Sequence, residues 1–221
     1  MNIGIKDVLK QIRLFFILYL VLLLCCLVVK LFFTKETIYF TINSHYSNWA
    51  DVIAPYFTDL GDGWTTITVA IILVLFNYRK ALLLASAYAV TSLSAQIIKH
   101  IVKAPRPALF FSQRLSEIHF VKGMYIDKFN SFPSGHTVTA FSTAVVITYL
   151  LKNKSWSILL FITAVLVGYS RMYLSEHFFE DVTAGSAWGV FITVFWITWL
   201  DNKQFLHKAA WNRGILWRGT K

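Results

Sequence analysis

Charge is what this chain has least of. Charged residues fill 14% of its 221 positions, against roughly 25% in a soluble globular domain. Apolar residues take their place: 57% are hydrophobic, with 19 Phe, 10 Tyr and 8 Trp, and the mean hydropathy is +0.57. A soluble core can absorb much apolar surface, but not repeated apolar runs of near-membrane length. A soluble domain is thereby excluded. Cysteine is nearly absent. Cys25 and Cys26 are adjacent and lie inside the first apolar run, so the chain has neither a disulfide framework nor a cysteine metal site. Internal repeats and low-complexity linkers are also lacking, which leaves residues 1–221 as a single membrane domain.

The apolar runs predict an all-α, polytopic membrane protein with six transmembrane helices and short interfacial helices. The spans fall at residues 13–33, 64–76, 81–98, 137–151, 156–170 and 182–200. The basic, amphipathic start resembles a signal peptide. The first run is long for one, however, and no small-residue cleavage site follows it, so it reads as a retained helix. Residues 34–63 carry Trp49, several Tyr and Phe, Pro55 and the turn-like Gly61–Gly63, the pattern of an interfacial or re-entrant segment with aromatic anchors. Ala184, Gly185, Ser186, Ala187 and Gly189 in the sixth run suit close helix–helix packing. Residues 201–221 form a basic tail with Trp211 and Trp217, expected to lie on the membrane surface.

The little charge there is falls unevenly. The termini and the turns at Asn77–Lys80 and Lys152–Ser155 hold twelve basic residues and only Asp7 and Asp201 as acids; the other side holds nine of each sign. The whole net charge of +10 is thus a topology signal that puts both termini in the cytoplasm. It also predicts attraction to anionic phospholipids at the cytoplasmic surface. Binding of nucleic acid is set aside, and nothing calls for an obligate protein partner. The same assignment puts Lys99–Gly135 and Ser170–Asp181 together on the outer side.

Three polar pieces there carry chemistry. In Lys99–Pro107 (K-H-I-V-K-A-P-R-P), Arg106 stands between two prolines that restrict its backbone. Lys99 and Arg106 make a phosphate clamp, or else a snorkelling lysine and an interfacial arginine. In Phe132–Thr137 (F-P-S-G-H-T), free N–H groups at a helix start beside Ser134 and Gly135 form an anion cradle with His136 at its edge. Taken alone, this piece is equally a turn followed by a capped helix. In Ser170–Asp181 (S-R-M-Y-L-S-E-H-F-F-E-D), a helical backbone would put His177 and Asp181 on one face, one turn apart. The carboxylate then fixes the imidazole's tautomer and supports its positive charge, with Arg171 available to hold an anion. Alone, this piece also reads as a loop between membrane helices. Together, the three supply what phosphoryl transfer without a metal needs: cations for the equatorial oxygens, one imidazole to attack and another to protonate the leaving oxygen. Three neighbouring cations would oppose a dication, so neither a metal nor any other cofactor is expected.

These residues resemble the signature of the type 2 phosphatidic acid phosphatase superfamily, K-x6-R-P, then P-S-G-H, then S-R-x5-H-x3-D. Here it reads Lys99–Arg106–Pro107, Pro133–Ser134–Gly135–His136 and Ser170–Arg171–His177–Asp181, with no departure at a signature position. The resemblance covers roughly residues 51–200. It implies that His177 is the nucleophile forming a phosphohistidine, that Asp181 orients it, and that His136 is the general acid. It implies also that Lys99, Arg106, Ser134, Gly135 and Arg171 hold the phosphate. The expected activity is metal-independent hydrolysis of a membrane lipid phosphate or diphosphate at the outer face of a bacterial inner membrane. Undecaprenyl diphosphate and phosphatidylglycerophosphate are the leading substrates; a lipid A phosphatase or a lipid-linked phosphotransferase is the alternative. An anionic lipid transporter, from another class, would call for ionisable residues at mid-depth, and the predicted spans carry none.

Overall fold

A computed structural model describes residues 3–217. They form ten α-helices joined by turns and short 3-10 segments, with no strand among the described residues. The helices are α1 (Ile5–Gln11), α2 (Arg13–Phe32), α3 (Lys35–Ser44), α4 (Asn48–Leu60), α5 (Gly63–Phe76), α6 (Tyr78–Val102), α7 (Pro107–Phe110), α8 (Gly135–Leu150), α9 (Trp156–Tyr173) and α10 (Phe179–Leu200).

The all-α expectation holds, but the count of six spans does not. Four stretches are long and apolar enough to cross a membrane: Arg13–Phe32, Tyr78–Phe110, Trp156–Tyr173 and Phe179–Leu200. A fifth is reached only if α4 and α5, bent by 50° at their junction, count as one broken span. Both failures are of length. The run predicted at 64–76 becomes a 14-residue helix, short of the roughly 20 residues that a spanning helix needs. The run predicted at 137–151 becomes the 16-residue α8, also short of that length, and its apolar residues serve protein contacts. Ten of its residues are buried, Val138, Phe141, Val145 and Val146 among them, and α6, α9 and α10 surround it. Hydropathy reads a buried core helix and a lipid-facing one alike. The lipid-facing kind is α2, with Leu24, Leu31 and Phe32 exposed.

Close approach of α10 to α8 rests on two glycines. A Cβ on Gly189 would lie 2.6 Å from the Val138 carbonyl oxygen, and one on Gly185 would lie 2.8 Å from that of Ser134. The small-residue stripe of the sixth run thus meets backbone, as its composition predicts. The start of the tail is anchored in the protein. Asp201 is fully buried and accepts from Arg79 Nε at 2.8 Å, Arg79 Nη2 at 2.6 Å and the Tyr149 hydroxyl at 2.6 Å. Two 3-10 turns follow, with Leu206 buried, and Tyr78 N–H donates to the Arg213 carbonyl at 2.9 Å. The tail is folded against the ends of the helices. Asn202 exchanges two 2.6 Å hydrogen bonds with the Ile3 backbone, so the N-terminal end of the described chain meets the start of the tail. The last part of the predicted basic tail, Arg218–Lys221, lies outside the described residues.

Candidate active site

At the opposite end, Lys99 stands in the last turn of α6 and is buried. The chain leaves that helix through Lys103 in the left-handed region (φ 49°) and reaches Arg106, the N-cap of α7. The long connection returns to the same place. Arg106 N–H donates to the Lys128 carbonyl and Ser131 N–H to that of Ala104, each at 2.9 Å. The chain then enters α8 through Ser134, whose N–H donates to the Asp181 carbonyl at 3.0 Å. The first three N–H groups of α8, those of Gly135, His136 and Thr137, find no acceptor among the described residues, as expected of a helix start.

The third piece is helical only at its ends. Helix α9 stops at Tyr173 and α10 begins at Phe179. Between them Ser175 takes a left-handed backbone (φ 58°). Its hydroxyl accepts from the Tyr39 hydroxyl at 2.9 Å and from Asn43 Nδ2 at 3.0 Å. The N–H groups of Glu176 and His177 both donate to the Arg171 carbonyl at 3.1 Å. The bend turns His177 inward, and Asp181 approaches it from the first turn of α10. His177 Nδ1 lies 3.5 Å from Asp181 Oδ2. That same oxygen accepts from Phe178 N–H at 2.9 Å and from the Ser131 hydroxyl.

Lys99, Arg106, Gly135, His136 and His177 line one cavity of about 220 Å³, closed on its other side by Gly61–Gly63 and Tyr88. Ser134, Arg171 and Asp181 stand behind this lining. All three cations are buried, at 8% exposure for Lys99, 7% for Arg106 and 5% for Arg171. A buried charge demands a partner, and the arginines share one. Glu176 Oε2 accepts from Arg106 Nη1 and lies 3.4 Å from Arg171 Nη2. Arg106 also reaches the Phe129 carbonyl at 3.0 Å and Asp127 at 3.2 Å. Lys99 Nζ has no hydrogen-bond acceptor among the described residues, and it points to within 3.7 Å of where a Gly135 Cβ would stand. An alanine methyl there would make ordinary van der Waals contact with that ammonium group.

This field sets the protonation states. Burial, reinforced by Arg171, Arg106 and Lys99, holds His177 well below the ordinary imidazole range. Burial and Arg171 likewise push His136 down, whereas burial pushes the Glu176 carboxyl up despite its two arginines. Both imidazoles are therefore neutral near pH 7 in the structure, and an anion in the cavity would favour a proton on His136 by offsetting the cations. Among the described residues no three His, Cys, Asp or Glu side chains are placed to hold a metal ion.

Three further residues belong to this constellation and escaped the sequence reading. Ser131 bonds the Asp181 carboxylate and lies 3.4 Å from His177 Nδ1. Glu176 joins the two arginines. Thr58 in α4 bonds the Ser170 hydroxyl at 2.7 Å and lies 3.5 Å from Arg171 Nη1. Only Glu176 left a signal, as an acid next to the histidine.

The PAP2 superfamily model matches residues 80–205. Phosphatidylglycerophosphatase B of Bacillus subtilis (strain 168) is 29% identical over 158 residues, covering 65% of this chain and 72% of that protein. Undecaprenyl-diphosphatase of Sulfolobus acidocaldarius is 31% identical over 136 residues, covering 59% of this chain and 62% of its own length. Among solved structures, LpxE of Aquifex aeolicus superposes with a TM-score of 0.65 at 27% identity, over 73% of this chain and 93% of that one.

Proposed function

The chain belongs to the PAP2 superfamily and is a membrane-embedded lipid phosphate phosphatase, and from that premise we propose a metal-independent mechanism through a phosphohistidine. The observation that carries it is the convergence of Lys99, Arg106, Gly135, His136 and His177 on one cavity. His177 Nδ1 faces Asp181, which leaves Nε2 as the attacking atom. Attack forms an N–P bond as the bond from phosphorus to the leaving oxygen breaks. His136 gives that oxygen a proton, and Asp181 supports the charge that grows on the His177 ring. Water then attacks phosphorus, the N–P bond breaks, and His136 takes the water's proton. Lys99, Arg106 and Arg171, with the Ser134–Gly135 helix start, meet the charge on the equatorial oxygens.

The proposed substrate is undecaprenyl diphosphate or phosphatidylglycerophosphate, the lipids for which the two relatives are named. The proposed setting is a bacterial inner membrane with the site facing outward and the basic turns inward, where anionic phospholipids meet them. The test is a panel in detergent with EDTA: isoprenyl diphosphate, phosphatidylglycerophosphate, phosphatidic acid and lipid A. Phosphate release from one of the first two, undiminished by chelation, is expected. Loss of all turnover in EDTA, restored by one divalent metal, would overturn the mechanism, and release from lipid A alone would overturn the substrate.

A further inference from the structure

Glu176 is a buried acid that the proposed chemistry leaves unused. It is 6% exposed, its Oε2 serves the guanidinium groups of both Arg106 and Arg171, and its backbone N–H is tied to the Arg171 carbonyl. Resting on the reading of those arginines as phosphate ligands, we propose that Glu176 is an internal counter-anion, a positioning residue whose charge competes with the substrate's phosphate and sets the site's affinity for it.

Three buried cations without an anion would be costly to fold around. Asp181 is committed elsewhere, to Ser131, the Phe178 N–H and His177. Glu176 is thus the buried carboxylate that pairs with the clamp's two arginines and offsets part of its charge while it is empty. A phosphate entering the cavity must draw the same two guanidinium groups, and it then lies near a carboxylate of like charge. The site is held in shape before substrate arrives, and phosphate is bound less tightly than three cations alone would bind it. A single-turn product, inorganic phosphate, leaves more readily as a result.

The magnitude follows from Coulomb's law. Removing a like charge about 6 Å away, at an effective dielectric of about 20, corresponds to roughly 100-fold in affinity. Glu176→Gln is therefore expected to tighten competitive inhibition by inorganic phosphate about 10- to 100-fold. KM for a lipid phosphate should fall with it, and kcat should fall as release slows. Glu176→Asp keeps the charge and should stay within a few-fold of wild type. Unchanged or weaker inhibition in Glu176→Gln overturns the proposal, because a mere brace loses arginine geometry and binds phosphate less well. Glu176→Ala provides a second neutral variant, and failure of both neutral proteins to give a cooperative melt would overturn it as well. Wild-type turnover of the lipid panel, measured in parallel, tests the underlying reading separately.

Discussion

Replacing Asp181 with asparagine removes one negative charge and leaves the side chain's shape. Asp181 Oδ2 stands 3.5 Å from His177 Nδ1, and the ring becomes positive as the N–P bond forms. At that distance and an effective dielectric of about 20, the attraction lost is about 5 kcal/mol, or between three and four powers of ten in rate. The amide oxygen retains part of the interaction, so a fall in kcat of about 10³-fold is expected. KM should move little, since Asp181 does not line the cavity. The cap should survive, because an asparagine oxygen still accepts from Phe178 N–H; Asp181→Ala loses it at a further cost of about 0.5–2 kcal/mol in stability. Initial rates of phosphate release in detergent, with melting curves alongside, separate the two effects. An Asp181→Asn protein that melts like wild type and turns over within tenfold of it would refute the charge-support role.

The three signature pieces were legible because each needs a fixed residue type at a fixed spacing, and the charge asymmetry put all three on one side. What the sequence could not convey was mostly packing. The α8 run is apolar like a span, yet its helix stops at 16 residues and its apolar residues meet other helices, which hydropathy does not reveal. The tail's lysines and tryptophans gave no sign that Asp201 anchors its start to Arg79 and Tyr149. The helical reading of Ser170–Asp181 put His177 and Asp181 in contact for an incomplete reason. They meet because the chain bends at Ser175 and α10 restarts with Asp181 in its first turn. Ser131 and Thr58 are ordinary hydroxyl residues far away in sequence, and no local pattern marks them. Glu176 could have been suspected: an acid beside a histidine and five residues from an arginine must pair with something if it is buried.

The remaining expectations concern the leaving group, the helix contact and pH. His136→Ala should lower turnover of a lipid phosphate by about 10²–10⁴-fold and much less for an aryl phosphate, whose oxygen needs no proton; equal losses on both would remove His136 as the acid. Gly185→Ala puts a methyl group 2.8 Å from the Ser134 carbonyl, so it should cost about 1–3 kcal/mol and displace the α8 entrance, measured as a lower melting temperature with weaker phosphate inhibition; wild-type values in both would mean that the contact yields freely. The pH dependence of stability follows from the two imidazoles. Burial and the cations hold both below their unfolded range, so below about pH 6.5 the unfolded chain takes up protons that the folded one refuses. Their contribution is complete above that pH and is lost as pH falls through it, at about 1.4 kcal/mol per unit for each histidine. Glu176, shifted the other way, offsets part of this loss, so the informative quantity is a difference between proteins. Apparent melting temperature in detergent should fall more steeply from pH 7 to 5.5 in wild type than in a His136→Ala/His177→Ala double variant. Saturating phosphate should flatten the wild-type slope, because a bound anion offsets the cations that reinforce burial in keeping His136 neutral. Parallel pH profiles for the two proteins would show that neither imidazole is held neutral by the fold.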